Sequence, residues 1–139
     1  MISIKYILVI GVLAILFTSC SPVPETFVST MEPTWATIEL REDVSYDKAW
    51  TTVMDLIIRN FDIEIAQKEN GYIRTAWLFT WTGKYTEYYR VRITVKFPAD
   101  RKTVEVKSEA YYRDKIGFDT RLLQTLKSDV MGTVGRTTR

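Results

Sequence analysis

The 139-residue chain contains no histidine and only one cysteine, and each shortage removes a class of function. Without histidine, the chain lacks the side chain most used for acid–base catalysis and metal binding near neutral pH. A single cysteine cannot form an intramolecular disulfide, so this is not a disulfide-stapled domain. The formal net charge of +2 gives no general indication of a polyanionic partner. We expect no metal, no other cofactor and no nucleic-acid partner.

Catalytic motifs are weak, and we expect a protein that is not an enzyme. Ser45 and Lys48 have the S-x-x-K spacing of serine acyl enzymes, but the companion motifs of those enzymes do not follow. A helix N-cap explains Ser45 more simply. Asp62 and Glu64 share the polar side of an amphipathic strand, which favours a solvated role over glycosidase chemistry. The sequence has no glycine-rich dinucleotide or P-loop pattern.

The first twenty residues have the pattern of a secretory signal. Lys5 precedes an apolar run over residues 7–17, and small residues follow the run. The run is shorter than the roughly 20 residues that a membrane-spanning helix needs. The segment ending at Cys20 resembles a bacterial lipobox, in which cleavage precedes the cysteine and the thiol receives a diacylglycerol. We predict a lipoprotein signal peptide at 1–19 and acylation of Cys20.

The lipobox resemblance also implies a location. Ser21, and not aspartate, follows the cysteine. By resemblance to enterobacterial sorting, this residue favours the outer membrane. Several acyl chains hold a protein on a membrane far more firmly than one chain does. We expect a lipid-anchored protein of the bacterial outer membrane, with its domain in the periplasm.

The mature chain divides into a tether, one domain and a tail. Three of the four prolines lie between residues 22 and 33, which predicts an extended, poorly packed tether over residues 20–34. The length and composition of the rest predict a single domain over residues 35–132. The polar, basic residues 133–139 are expected to form a flexible tail.

Hydrophobic periodicity predicts a strand, a helix, four further strands and a second helix. Ser45 is the expected N-cap of the first helix, whose apolar stripe ends near Asn60. Gly117 and Asp119 are expected to open the second helix, and Gly132 to cap its C-terminus. We predict an α+β fold of order β-α-β-β-β-β-α, an antiparallel β-sheet with both helices packed on one face.

The first hairpin has two candidate registers. Asn70-Gly71 can form a two-residue type I′ turn, or residues 69–71 can form a three-residue loop with Gly71 in the left-handed conformation. A one-residue slip turns every side chain to the opposite face. The three-residue loop places Trp77 and Phe79 on the core face, and we prefer it for that reason.

Charge fixes the register of the last two predicted strands, which cover residues 87–97 and 103–112. One register sets Lys96 opposite Glu105 and Arg92 opposite Glu109. A slip brings Lys107 opposite one of the basic residues instead, and opposed like charges destabilise a strand pair. We predict the first register.

Basic charge is concentrated in the second half of the chain. Residues 21–69 carry 4 basic and 10 acidic side chains, whereas residues 70–139 carry 14 basic and 7 acidic ones. In the predicted register, arginine and tyrosine collect on the outward face of the last strands, a mixture favoured in protein–protein contacts. Loop positions beside Gly83 add two aromatic residues. The predicted partner-binding residues are Arg74, Tyr88, Arg90, Arg92, Tyr111, Trp81 and Tyr85.

The predicted domain resembles the helix-grip domains of the BamC lipoproteins, which belong to the outer-membrane β-barrel assembly machinery. Residues 46–50 (Tyr-Asp-Lys-Ala-Trp) and residues 71–75 (Gly-Tyr-Ile-Arg-Thr) carry the resemblance, together with the lipobox, the tether and the order of elements. It covers most of residues 35–131. It implies a helix-grip-like fold and a non-enzymatic role as a protein-interaction module in the bacterial envelope, accessory to outer-membrane protein assembly.

A second hypothesis is a carrier or sensor of a lipid or another apolar ligand. Such a ligand would lie between the sheet and the first helix. This hypothesis requires a cavity on the order of several hundred Å³ lined by Trp50, Trp77 and Phe79.

Overall fold

The computed structural model describes residues 23–81, 83 and 87–137. Two predicted site residues, Cys20 and Tyr85, lie outside the described residues. In chain order the elements are β1 (Phe27–Ser29), β2 (Ala36–Glu39), α1 (Tyr46–Ile58), β3 (Ile63–Gln67), β4 (Tyr72–Thr75), β5 (Tyr89–Lys96), β6 (Thr103–Tyr112), β7 (Lys115–Asp119) and α2 (Thr120–Thr133).

The strands form one antiparallel sheet with the order β1-β7-β6-β5-β4-β3. Strand β2 pairs with the first part of β6, on the edge that β7 occupies further along the same strand. The two helices contact each other and share one hydrophobic core with the sheet, so both lie on one of its faces. The predicted α+β class and order of elements are confirmed, and β1 and β7 are additional strands.

Helix α1 begins where the sequence predicts. The side-chain oxygen of Ser45 accepts a hydrogen bond from the backbone N–H of Lys48 at 3.1 Å, and Asp47 lies in the first turn. This cap satisfies one of the N–H groups that a helix start leaves free. The predicted apolar stripe ends near Asn60, but Ile58, the last residue of the helix, is 54% exposed. The buried residues of α1 are Ala49, Trp50, Val53 and Ile57.

Strands β5 and β6 pair in the register that charge predicts. Lys96 lies opposite Glu105, and Arg92 lies opposite Glu109. Alternate residues of this pair point into the core and are buried, and the alternation continues to Phe97. The core-facing residues are Tyr89, Val91, Ile93, Val95, Phe97, Val104, Val106, Ser108, Ala110 and Tyr112.

The hairpin of β3 and β4 has neither of the two candidate registers. Gln67 pairs with Tyr72, so the loop has the four residues 68–71. The register then shifts at a bulge, beyond which Ile63 pairs with Thr75. Gly71 does adopt the expected left-handed conformation, with φ +65°. Both candidates are wrong because the loop is one residue longer than the longer of them, and the bulge then shifts the pairing by one further residue.

Part of the expected tether is a strand of the sheet. The residues of β1 pair with β7, and the Phe27 ring lies 5.9 Å from that of Tyr89 and 6.1 Å from that of Tyr112. The prediction of a poorly packed segment over residues 20–34 is therefore wrong for this part. A Cβ at Gly117 would lie 2.0 Å from the backbone oxygen of Val28. Gly117 thus permits the close approach of β1 and does not begin α2.

The C-terminal segment is also fixed to the domain. Helix α2 continues through Gly132, the expected C-cap, to Thr133. Val134 is 1% exposed, and the backbone N–H of Arg136 donates to the Glu39 carbonyl at 2.7 Å. The expected flexible tail at 133–139 is therefore part of the fold as far as Arg136.

A buried carboxylate joins the start of α2 to the N-terminal segment. Asp119, which the sequence predicts at the start of this helix, is the N-cap of α2 and is fully buried. It accepts hydrogen bonds from the Leu122 N–H at 2.7 Å, the Tyr89 hydroxyl at 2.5 Å and the Thr26 hydroxyl at 2.7 Å. These bonds replace the water that burial removes. Burial and the adjacent Asp119 carboxylate raise the pKa of Tyr89 far above its usual range.

Candidate functional site

On the face of the sheet opposite the helices lie the strand residues that alternate with the buried ones, and most of these residues are polar. We call this surface the outer face. On β4, β5 and β6 its residues are Arg74, Arg90, Arg92, Thr94, Lys96, Glu105, Lys107, Glu109 and Tyr111. Four of the predicted binding residues are in this set. A fifth, Tyr88, lies in the turn before β5 and lines a pocket with Arg90 and Tyr111.

Trp77 lies at the centre of an aromatic and cationic cluster on the outer face. The Arg90 guanidinium carbon lies 4.9 Å from the centroid of the Trp77 ring, and that of Arg92 lies 4.4 Å from it. Tyr111 meets Trp77 edge to face at 5.1 Å and lies 4.8 Å from Arg90. Contacts of this kind contribute about 0.5–1 kcal/mol each at exposed sites. They hold both guanidinium groups close to the Trp77 ring.

The prediction that Trp77 and Phe79 lie on the core face is wrong. Strand β4 ends at Thr75, so the alternation that would place both rings in the core does not continue. Trp77 instead contacts outer-face residues, and Phe79 is 44% exposed. Trp50 lies on the opposite side of the sheet, where its ring centroid is 5.9 Å from that of the buried Phe97. The three aromatic residues of the carrier hypothesis therefore line no common cavity.

Arg92 is held by a half-buried ion pair. It donates to the two carboxylate oxygens of Glu109 at 2.9 and 3.3 Å, and Thr94 donates to the same carboxylate at 3.1 Å. Lys107 lies 3.6 Å from it. Burial alone would raise the pKa of Glu109, but the hydrogen bond and charge of Arg92, with Lys107 and Thr94, outweigh it and lower that pKa. The charge of Arg92 is thus largely neutralised within the domain.

Arg74 is also paired. Its guanidinium donates to Glu64 at 2.8 Å, and this hydrogen bond raises the pKa of Arg74. At the other end of the outer face, Lys96 and Lys107 lie 4.7 and 4.8 Å from the ring of Trp35. Most cations of the outer face therefore have a carboxylate or an aromatic ring as a partner.

A pocket of about 460 Å³ opens beside the Trp77 cluster. Its exposed aromatic walls include Phe79 and Tyr88, which are 44% and 51% exposed. The pocket is lined by Phe79, Glu87, Tyr88, Arg90, Tyr111 and Arg113. Three of these were predicted from the sequence, and the other three, Phe79, Glu87 and Arg113, were not among the predicted binding residues. An arginine in a two-residue hairpin turn is the signal that would have indicated Arg113.

Trp81 lies apart from the other predicted residues. Its ring centroid is 6.4 Å from that of the buried Phe61, and the Arg121 guanidinium of α2 lies 5.7 Å from it. It thus packs against the core beside a helix, and the structure does not bring it to the outer face.

Other candidate chemistry is limited in the described part of the chain. No group of three or more His, Cys, Asp or Glu residues there is arranged to hold a metal ion. A second pocket, of about 710 Å³, lies between β2, the β5–β6 turn and the C-terminal segment. Its lining mixes acidic and basic side chains, including Glu39, Glu42, Arg41 and Lys102. Arg41 there already donates to Asp43 and to the Thr133 carbonyl.

No protein-family model matches this chain, and a search of curated proteins found no match either. The resemblance to BamC domains stays a prediction from the sequence. Neither helix of the described residues is long and apolar enough to span a membrane.

Proposed function

We propose that this chain is a non-enzymatic lipoprotein of the bacterial envelope, anchored at Cys20, which binds a protein partner through the outer face. The observation that carries the proposal is the Trp77 cluster and its adjoining pocket. Aromatic rings and arginines lie together there on the side of the sheet that the helices leave uncovered. Tyrosine, tryptophan and arginine are the residues most enriched at the energetic centres of protein interfaces.

The geometry favours docking on the face over docking at a sheet edge. Strand β3 forms one edge, where a bulge and the charged Glu64 oppose the addition of another strand. Strand β1 forms the other edge and has only three residues. Short, bulged or charged edges are typical of sheets that avoid pairing with other chains.

The pattern of charge also favours a protein over a broad anionic surface. Arg92 and Lys107 share Glu109, and Arg74 is paired with Glu64. A membrane or nucleic acid gains most from many unpaired cations. The internal ion pairs of the outer face reduce that gain, whereas a protein partner can use the aromatic rings and the few remaining charges.

Photocrosslinking in cells tests the proposal. Phe79 is exposed and lines the pocket, so a benzoylphenylalanine placed there reports on a partner bound at this site. We expect one defined protein to be captured from the membrane fraction by the full chain. Arg90→Glu should abolish the capture, and Arg59→Glu, at the end of α1, should leave it unchanged. Equal capture by Arg90→Glu would exclude this surface. The outer-membrane assembly machinery, which the BamC resemblance implies, is the first set of candidates.

The anchor has a separate test. Cys20→Ala should release the chain from membranes or block its maturation, because the acylated thiol is lost. Mass spectrometry of the mature N-terminus should find the diacylglycerol on Cys20. An unmodified thiol, or cleavage at another residue, would contradict the proposed anchoring.

A further inference from the structure

Two arginines of the pocket have no acidic partner among the described residues. Arg90 and Arg113 both line the pocket, and neither is within ion-pair distance of a described carboxylate. This sets them apart from Arg74 and Arg92, which are each paired with a glutamate. The pocket therefore presents two guanidinium groups that have no direct ion pair within the described part of the domain.

Arg113 occupies a backbone position that favours glycine. It is the first residue of the two-residue turn between β6 and β7, and its φ is +54°. A left-handed backbone at the first turn position is typical of type II′ hairpins, where glycine is preferred because other side chains are strained. Residues held in such conformations cluster at functional sites. Arg113 is therefore placed on the rim of the pocket at a conformational cost.

A second left-handed arginine shows how such a cost is normally offset. Arg101 has a φ of +56°, and its guanidinium donates to the carbonyls of Phe97 and Glu69, each at 2.6 Å. These bonds fasten two loops together and give Arg101 a structural role. The Arg113 guanidinium makes no hydrogen bond to a described residue, although it lies 4.9 Å from the ring centroid of Tyr88. Its donors are available to a ligand.

We propose that this pocket binds a carboxylate of an acidic segment in the protein partner, with an aromatic or aliphatic side chain of that segment against the pocket wall. This inference rests on the proposed function and adds the chemistry of the partner. Arginine guanidinium groups recognise carboxylates by paired, charge-assisted hydrogen bonds. The rings of Phe79, Tyr88 and Tyr111 supply the apolar wall. The Arg90 guanidinium is already held in place by Trp77 and Tyr111.

The lining sets the number of negative charges that the pocket accepts. Two guanidinium groups and one carboxylate, that of Glu87, face it. This balance suits one carboxylate and disfavours a phosphate-rich surface, which the carboxylate of Glu87 would repel. Charge complementarity thus favours an acidic peptide segment over a layer of lipid headgroups.

Two pools of short synthetic peptides test the inference against the detergent-solubilised full chain. One pool has a central Glu-Phe pair and random flanking residues, and the other has Gln-Phe in the same place. We expect the immobilised protein to retain the Glu-Phe pool preferentially. Arg90→Gln and Arg113→Gly should each reduce this retention roughly tenfold or more, since each removes one guanidinium from a charged pair. Arg59→Gln, which removes an exposed arginine elsewhere, should not.

Stability measurements separate binding from a structural role of Arg113. Glycine relieves a left-handed backbone but also removes the contacts of the guanidinium with the rings of Tyr88 and Tyr112, which are worth about 0.5–1 kcal/mol each. Arg113→Gly should therefore change the free energy of unfolding by less than about 1 kcal/mol while it weakens peptide binding, and a larger loss of stability would assign Arg113 a structural role instead.

Three results would overturn the inference: equal retention of both pools, retention of neither, or retention that both arginine variants leave unchanged. Vesicles containing phosphatidylglycerol provide a further arm, and Arg113-dependent binding to them would assign the pocket to lipid instead. If photocrosslinking at Phe79 still captures a defined protein in any of these cases, the proposed function stands and only the chemistry of its partner is wrong.

Discussion

Asp119→Ala is the substitution with the most clearly defined effect on this fold. The carboxylate is buried and accepts three hydrogen bonds, which join α2, β5 and the segment before β1. Alanine removes both acceptor oxygens and with them all three hydrogen bonds. The Leu122 N–H then loses its cap, and the Tyr89 hydroxyl loses its partner in the core. The Thr26 hydroxyl is only partly buried and can turn towards water.

The expected loss follows from these environments. An N-cap aspartate replaced by alanine costs about 1 kcal/mol. A buried hydroxyl left without a partner costs about 1–3 kcal/mol, and Tyr89 is 1% exposed. We therefore expect Asp119→Ala to lower the free energy of unfolding by about 2–4 kcal/mol. Since domains of this class have about 5–15 kcal/mol in total, the variant should still fold.

Asp119→Asn is the matched control. Its side-chain oxygen can still accept from the Leu122 N–H, and its amide can donate to the hydroxyl oxygens of Tyr89 and Thr26. We expect Asp119→Asn to lower the free energy of unfolding by about 1–2 kcal/mol, because all three neighbouring groups keep a hydrogen-bond partner but that partner is no longer charged. Urea unfolding of the chain from Ser21 onward, followed by tryptophan fluorescence, measures both variants. An alanine variant within about 1 kcal/mol of the parent, or an asparagine variant equally damaged, would refute this account of the network.

Three further substitutions have defined outcomes. The folded-state pKa of Glu109 lies below its unfolded value, so its stabilisation is present above the unfolded pKa and lost as the pH falls through the folded one. Urea midpoints of Glu109→Gln and the parent should therefore converge in acid, and parallel pH curves would contradict this. Gly71→Ala should cost about 2–4 kcal/mol in thermal unfolding, since its Cβ would lie 2.5 Å from the Phe97 carbonyl. Gly83→Ala, equally left-handed but in open space, should cost less. Phe27→Ala should cost about 3–4 kcal/mol and speed proteolysis before β2, whereas an unchanged cleavage rate would show that β1 contributes little.

Local signals predicted the parts of this fold that local physics determines. The sequence predicts Ser45 as a helix cap because short polar side chains are favoured there, and it predicts that Asp119 lies at the start of the second helix. The pairing of Arg92 with Glu109 was predicted because the slipped registers oppose like charges. Each of these decisions depends on residues that are close in sequence or on a single strand pair.

The errors arose where distant segments meet. Strand β1 has only three residues, too few for a periodic pattern, and its partner strand lies some ninety residues later. Gly117 did carry a signal, because a glycine within a strand often marks the close approach of another backbone. Trp77 was assigned to the core by extending an alternation past the end of β4. As a result, the outer-face arginines were predicted, but the ring on which they stack was not.

The pairing of β1 with β7 also determines how far the domain can move from a bilayer. The proposed anchor at Cys20 is at most six residue steps from Thr26, whose hydroxyl is bonded to Asp119. Six residue steps span at most about 20 Å, against about 50 Å had the connection run to residue 34. The volume of the hemisphere that the domain can explore is smaller by roughly fifteenfold. The local concentration of any partner within reach of the shorter connection rises in proportion. A three-residue strand would thereby confine this protein to partners lying directly against the membrane.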